Sequence, residues 1–119
     1  MPTVLITGCS SGIGRALADA FRDAGHEVWA TARKPEAVAQ LAAAGFTARQ
    51  LDVNDSAELT RLTDELQASH GGLDILINNA GYGAMGPVLD GGVDGLREQF
   101  ETNVFALVGV TRTLFPLLR

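Results

Sequence analysis

Three glycines fall within seven residues, Gly8, Gly12 and Gly14, in the stretch Thr7-Gly8-Cys9-Ser10-Ser11-Gly12-Ile13-Gly14. The short apolar run Val4-Leu5-Ile6 precedes it, and an apolar-periodic run starting at Ala16 follows. Strand, glycine-rich turn and helix in that order suit the binding of a phosphate group. Gly8 allows a sharp turn off the strand, Gly12 lets backbone approach a ligand, and Gly14 lets the helix pack closely on the strand. Free N–H groups at the helix start then face the ligand, and the helix dipole favours its negative charge.

Other reactive side chains offer less. Cys9 is the only cysteine, so no intrachain disulfide framework is possible and a reducing, cytoplasmic setting is expected. A thiolate is stabilised near a helix start, yet Cys9 reads as a spectator. His26 and His70 lie far apart without ligand spacing, so no metal site is expected. No Gly-Xaa-Ser-Xaa-Gly elbow supports a hydrolase. The net charge of −5, with Lys34 the single lysine, argues against nonspecific nucleic-acid binding. No signal peptide is evident at the N-terminus. The apolar stretch Val104 to Leu118 is too short and too polar for a membrane span.

These residues need a scaffold, and 119 residues with 46% hydrophobic content suffice for one domain with a real core. Strands are expected at about Thr3–Thr7, Glu27–Thr31, Thr47–Leu51 and Asp74–Asn78. Helices are expected from about Ser11 to Ala24, with Ala16, Leu17, Ala20, Phe21 and Ala24 on the apolar spacing, and from Pro35 to Gly45. A third follows the capping sequence Asp55-Ser56-Ala57-Glu58, with Leu59, Leu62 and Leu66 as its buried stripe. A glycine-rich loop from Gly81 to Gly92 leads to a last helical segment, Val93 to Leu118. Alternating strands and helices imply right-handed crossovers and a parallel sheet. The expected fold is α/β, a three-layer Rossmann-type sheet of order 3-2-1-4 over residues 1–119, the first half of the doubly wound fold. The turns after strands one and four then flank one crevice.

Four motifs in order resemble those of the short-chain dehydrogenase/reductase family: Thr7–Gly14 as T-G-x-x-x-G-x-G, Asp52-Val53 at the end of strand three, Asn78-Asn79-Ala80-Gly81 after strand four, and Asn103 within Thr102-Asn103-Val104. The resemblance covers essentially the whole chain. It implies that Gly8, Ser10, Ser11, Gly12 and Ile13 contact the ribose and pyrophosphate of a nicotinamide dinucleotide, with Gly14 completing the turn. It implies that Asp52 hydrogen-bonds the adenine amine while the Val53 backbone reads the ring. Asn79, Ala80 and Gly81 would line the adenosine side and brace strand four. Asn103 corresponds to the family's catalytic asparagine, which kinks the helix and holds a water in a proton relay. Thr7–Gly14, Val28–Arg33 and Asn78–Pro87 look most like members acting on hydroxysteroids and retinoids.

Charge indicates which dinucleotide. An NAD site places a carboxylate at the end of strand two, where it binds the ribose 2′-OH and repels a 2′-phosphate. Here that place reads Ala30-Thr31-Ala32-Arg33-Lys34. Arg33 can hold a 2′-phosphate bidentately and stack on adenine, so NADP is expected over NAD.

The family's chemistry also requires a serine and a tyrosine with a lysine four residues later. The only tyrosine is Tyr82, with Gly86 four residues on, and no serine lies beyond Ser69. Two readings follow: the cofactor-binding part of a longer alcohol/ketone oxidoreductase, or a half-Rossmann module that binds a dinucleotide or self-assembles without turnover. The first is favoured, because Ile75-Leu76-Ile77 suits a central strand rather than an edge. The last helix is apolar on two sides, Leu96, Phe100, Val104, Leu107 and Leu114 on one and Phe105, Val108 and Phe115 on the other. It therefore calls for burial on both, and homo-oligomers through this helix or the strand-four edge are expected. A monodisperse monomer in light scattering would contradict that expectation.

Overall fold

The computed structural model describes residues 2–81 and 88–118. Tyr82 to Pro87, with Tyr82 and Gly86 and most of the stretch compared above with hydroxysteroid enzymes, lie outside the described residues. Four parallel strands, β1 (Thr3–Ile6), β2 (Glu27–Ala32), β3 (Thr47–Gln50) and β4 (Ile75–Ile77), form one sheet of order β3-β2-β1-β4. Val4 pairs with Val28 on one side and with Ile75 on the other, so β1 is central. The chain runs β1 to β3 in one direction and returns to place β4 against β1. The reversal opens a crevice between the C-terminal ends of β1 and β4.

Strand residues alternate between the two faces, as a pleat requires. Val4, Ile6, Val28, Ala30, Ala32 and Ala48 join Ala18, Leu41 and Phe46 in one core, with Leu17 and Phe21 packed against it. That core lies beneath α1 (Gly12–Asp23) and α2 (Pro35–Ala43). Leu5 and Trp29 face the opposite way and meet Leu59, Leu62 and Leu66 of α3 (Ser56–His70) and Val110 and Leu114 of α5 (Ala106–Leu114). The three layers follow from this. Each buried leucine contributes about 1.5–3 kcal/mol relative to exposure.

The helical C-terminal part departs from the expected single helix. α4 (Val88–Phe100) starts earlier and is broken at Gly92, whose φ of 63° is non-helical. A π-turn, Glu101–Phe105, separates α4 from α5, and a 3₁₀ turn, Phe115–Leu117, ends the segment. The wider π-turn shifts the helical phase. Ala106, Val110 and Leu114 are consequently buried, while Leu96, Phe100, Val104 and Leu107 stay exposed with Phe105, Val108 and Phe115. Leu114 thus does not share a face with Leu96, Phe100 and Val104, and the expected two-sided grouping is corrected. In α1 the buried residues are Gly14 and Ala18, with Ala16, Ala20 and Ala24 exposed.

β4 is the sheet edge, and its three residues are only half-buried. An isolated parallel bridge between Leu73 and Leu118 carries the chain back beside this edge. No helix among the described residues is long and apolar enough to cross a membrane.

Candidate dinucleotide-binding cleft

The turn after β1 is built as the glycine spacing requires. Gly8 has φ of +71°, and a Cβ there would stand 2.8 Å from the Ala80 Cα. A Cβ at Gly14 would collide with the Gly8 carbonyl oxygen and the Asn79 Nδ2. Gly14 is therefore glycine because α1 starts flush against two strand ends. Gly12 differs: its φ is +63°, yet a Cβ would meet nothing within 4 Å. The backbone there borders open space. Ser11, the residue before α1, is fully extended, and its side chain makes no capping hydrogen bond. The first N–H groups of a helix have no intrahelical partner, so they remain donors for an anion. Ile13 is 74% exposed despite its apolar side chain.

Three hydrogen bonds join this turn to the one after β4. The Thr7 hydroxyl accepts from the Asn79 and Ala80 N–H groups, each at 3.0 Å, and the Asn79 Nδ2 donates to the Gly8 carbonyl at 2.9 Å. Thr7 is almost fully buried. Its hydroxyl is a structural part of the site that the sequence reading left without a role, although it opens the motif. The Asn78 Nδ2 donates to the Thr111 hydroxyl at 2.9 Å, fixing α5 to the same turn.

A cleft of about 710 Å³ lies at the C-terminal ends of the strands, within the range of ligand pockets, roughly 300–1,000 Å³. Of the residues singled out from the sequence, Gly8, Ser10, Arg33, Asp52, Val53, Ala80 and Gly81 line it. Ser11, Gly12, Ile13 and Gly14 shape the adjoining helix start, and Asn79 serves as the brace just described. Asn103 lies in the π-turn, and a Cβ on Gly81 would stand 2.8 Å from its Oδ1. The wall from α4 and the π-turn adds Glu98, Glu101 and Thr102. Glu98, Glu101 and Asn54 escaped the sequence reading, and Thr102 entered it only as a neighbour of Asn103, because only the complete fold brings them to the strand ends.

Electrostatics at the cleft are mixed. Arg33 is exposed and, among the described residues, has no ion-pair partner, whereas Arg49 is held by Glu65 at 2.7 Å. Asp52 has its N–H donated to the Glu58 Oε1 at 2.8 Å, and its Oδ1 accepts from the Asn54 N–H at 2.9 Å. Cys9 is fully buried, its Sγ donates to the Ile6 carbonyl, and burial pushes its thiol up to about 11. A protonated thiol at neutral pH is neither nucleophile nor metal ligand, which agrees with its spectator reading. No cluster of metal-ligating residues occurs among the described residues.

A family model described as short chain dehydrogenase matches residues 2–119. The chain belongs to the short-chain dehydrogenase family. It is 43% identical over 119 residues to the short-chain dehydrogenase ptmH of Penicillium ochrochloron, covering 98% of this chain and 44% of that protein. A solved short-chain dehydrogenase from Streptomyces avermitilis superposes with a TM-score of 0.88 at 39% identity, over 98% of this chain and 44% of that one. An actinorhodin polyketide ketoreductase variant solved with NADPH gives a TM-score of 0.84 at 29% identity, over 95% of this chain and 46% of that one. The chain thus spans less than half the length of the short-chain dehydrogenases it matches. Short-chain dehydrogenases are oxidoreductases that bind a nicotinamide dinucleotide, and the residues present fit that group. The open Gly12 backbone and the uncapped α1 start leave N–H donors, and Arg33 supplies positive charge, at or beside the cleft.

Proposed function

We propose that residues 1–119 form the NADP(H)-binding part of a short-chain oxidoreductase that interconverts an alcohol and a ketone or aldehyde. The observation that carries this reading is the cleft at the strand ends. It joins the Gly8 turn, Arg33 and the Asp52 loop around one space.

In this reading the N–H groups at the start of α1 hold the pyrophosphate, with Ser10, Ser11 and Ile13 beside it. Arg33 holds the 2′-phosphate, since a guanidinium fork matches phosphate oxygens and no carboxylate stands at the end of β2 to repel them. Asp52 accepts from the adenine amine, Val53 borders the ring, and Ala80 and Gly81 line the adenosine side. A bound nicotinamide supplies the hydride chemistry. Asn103 positions a water for proton transfer. The substrate class is a small hydrophobic alcohol or carbonyl compound, and a cytoplasmic setting suits the single reduced cysteine. The exposed apolar face of Phe105, Val108 and Phe115 is the proposed surface for self-association.

The second reading, dinucleotide binding without turnover, is favoured for the 119 residues alone by one observation: the sequence holds no Tyr-x-x-x-Lys. Titrating the chain with NADPH and with NADH tests the cofactor assignment. NADPH is expected to bind about tenfold or more tightly, as one charge-assisted pair to a phosphate provides. Equal or tighter NADH binding overturns it. Absorbance of NADPH with added carbonyl compounds then separates binding from turnover.

A further inference from the structure

We propose that Asn54 and Thr102 form a clasp that holds the π-turn, and with it Asn103, against the β3 wall of the cleft. The Asn54 Nδ2 donates to the Thr102 Oγ1 at 3.0 Å, across 48 positions of sequence. Both residues line the cleft. The bond therefore joins the Asp52 loop to the residue immediately before Asn103.

Each end has a reason to need the other. Asn54 is rigid at its root. Its N–H is held by Asp52, and the following Asp55 caps α3 by accepting from the Ala57 and Glu58 N–H groups at 3.0 and 3.1 Å. Glu58 returns to the Asp52 N–H, closing a ring of hydrogen bonds around the loop. The π-turn is the weaker partner, since its wide ladder interrupts two α-helical segments. Its residues Val104 and Phe105 are exposed and lend it little packing. A tether from a rigid loop sets where such a segment sits. Thr102 and Asn54 are thus positioning residues, and only the link to Asn103 rests on the proposed dinucleotide function.

Amide hydrogen exchange on the 119-residue chain tests the clasp. Thr102→Val and Asn54→Ala should each raise exchange of the 101–105 amides about fivefold, the size expected for one net hydrogen bond. The double variant should be no faster than either single one, because both remove the same bond. Thr102→Ser, which keeps the hydroxyl, should exchange like the wild type. In the wild type NADPH should slow exchange at 101–105, and in Thr102→Val that slowing should shrink. Additive effects in the double variant, or no rescue by Thr102→Ser, overturn the clasp. Wild-type NADPH protection retained in Thr102→Val also overturns it. Failure of the wild type to bind NADPH would instead overturn the reading of the cleft, and the nucleotide-free rates would still decide the clasp.

Discussion

Two helices of this molecule begin at the C-terminal ends of the strands and begin in opposite ways. α3 starts closed. Asp55 accepts from the Ala57 and Glu58 N–H groups, and Glu58 reaches back to the Asp52 N–H. α1 starts open. Ser11 provides no side-chain cap, no acidic residue stands in the first turn, and Gly12 faces empty space. An uncapped helix start forfeits about 1 kcal/mol relative to a good cap. The chain caps α3 with side chains and leaves α1 and α2 without a side-chain cap. At α1 that leaves N–H donors and the positive end of the dipole bare beside the cleft. A start finished by the protein and one left open differ in what their first N–H groups can still bind.

The largest expected effect tests how α1 is seated. Gly14→Ala places a Cβ against the Gly8 carbonyl and the Asn79 amide. The Gly8 carbonyl is backbone and the Asn79 side chain is hydrogen-bonded to it, so α1 must move off the strand ends. A loss of about 3 kcal/mol or more is expected, measured as a lowered midpoint in urea unfolding. The equivalent clash cannot arise at Gly12, where a Cβ meets no atom and only the positive φ resists substitution. A Gly14→Ala variant as stable as the wild type would mean that α1 is not packed as described.

The second test converts the open start into a closed one. Ser11→Asp gives α1 a cap like that of Asp55. Thermal stability should rise slightly, by up to about 1 kcal/mol. NADPH affinity should fall by about tenfold or more, because a fixed carboxylate would occupy the N–H groups and repel the pyrophosphate. Calorimetric titration reads the second effect. Higher stability with unchanged NADPH affinity would show that the open start of α1 is not the phosphate site.

Much of this contrast was legible in the sequence, and the reasons are local. Asp55-Ser56-Ala57-Glu58 announces a cap because its bonds span three residues. Gly8, Gly12 and Gly14 announce a turn because their backbone demands are local as well. The alternation of strands such as Val4-Leu5-Ile6 with helical stretches predicts the parallel sheet. What could not be read depends on distance in the chain. The Asn54–Thr102 bond, the Thr7 hydroxyl serving the Asn79 and Ala80 N–H groups, and the Glu98 and Glu101 wall all require the fold to be complete. The π-turn was hidden from the periodicity, although the family resemblance implied a kink at Asn103. Its residues suit an α-helix individually, so the phase shift that exposes Phe100 and Val104 while burying Val110 leaves no periodic signature.

The smallest effect removes the closed start. Asp55→Ala deletes the acceptor of two backbone N–H groups and should destabilise the chain by about 1 kcal/mol. The loss is limited because Leu59, Leu62 and Leu66 remain buried against the sheet and hold α3 in place. NADPH affinity should fall by no more than about twofold, since Asp55 does not line the cleft and the Asp52 loop keeps its bond to Glu58. Denaturant midpoints and NADPH titrations on the same protein separate the two quantities. If Asp55→Ala weakened NADPH binding as strongly as Ser11→Asp, the two helix starts would not be independent. The ring of hydrogen bonds around Asp52 would then belong to the binding site as much as to the fold.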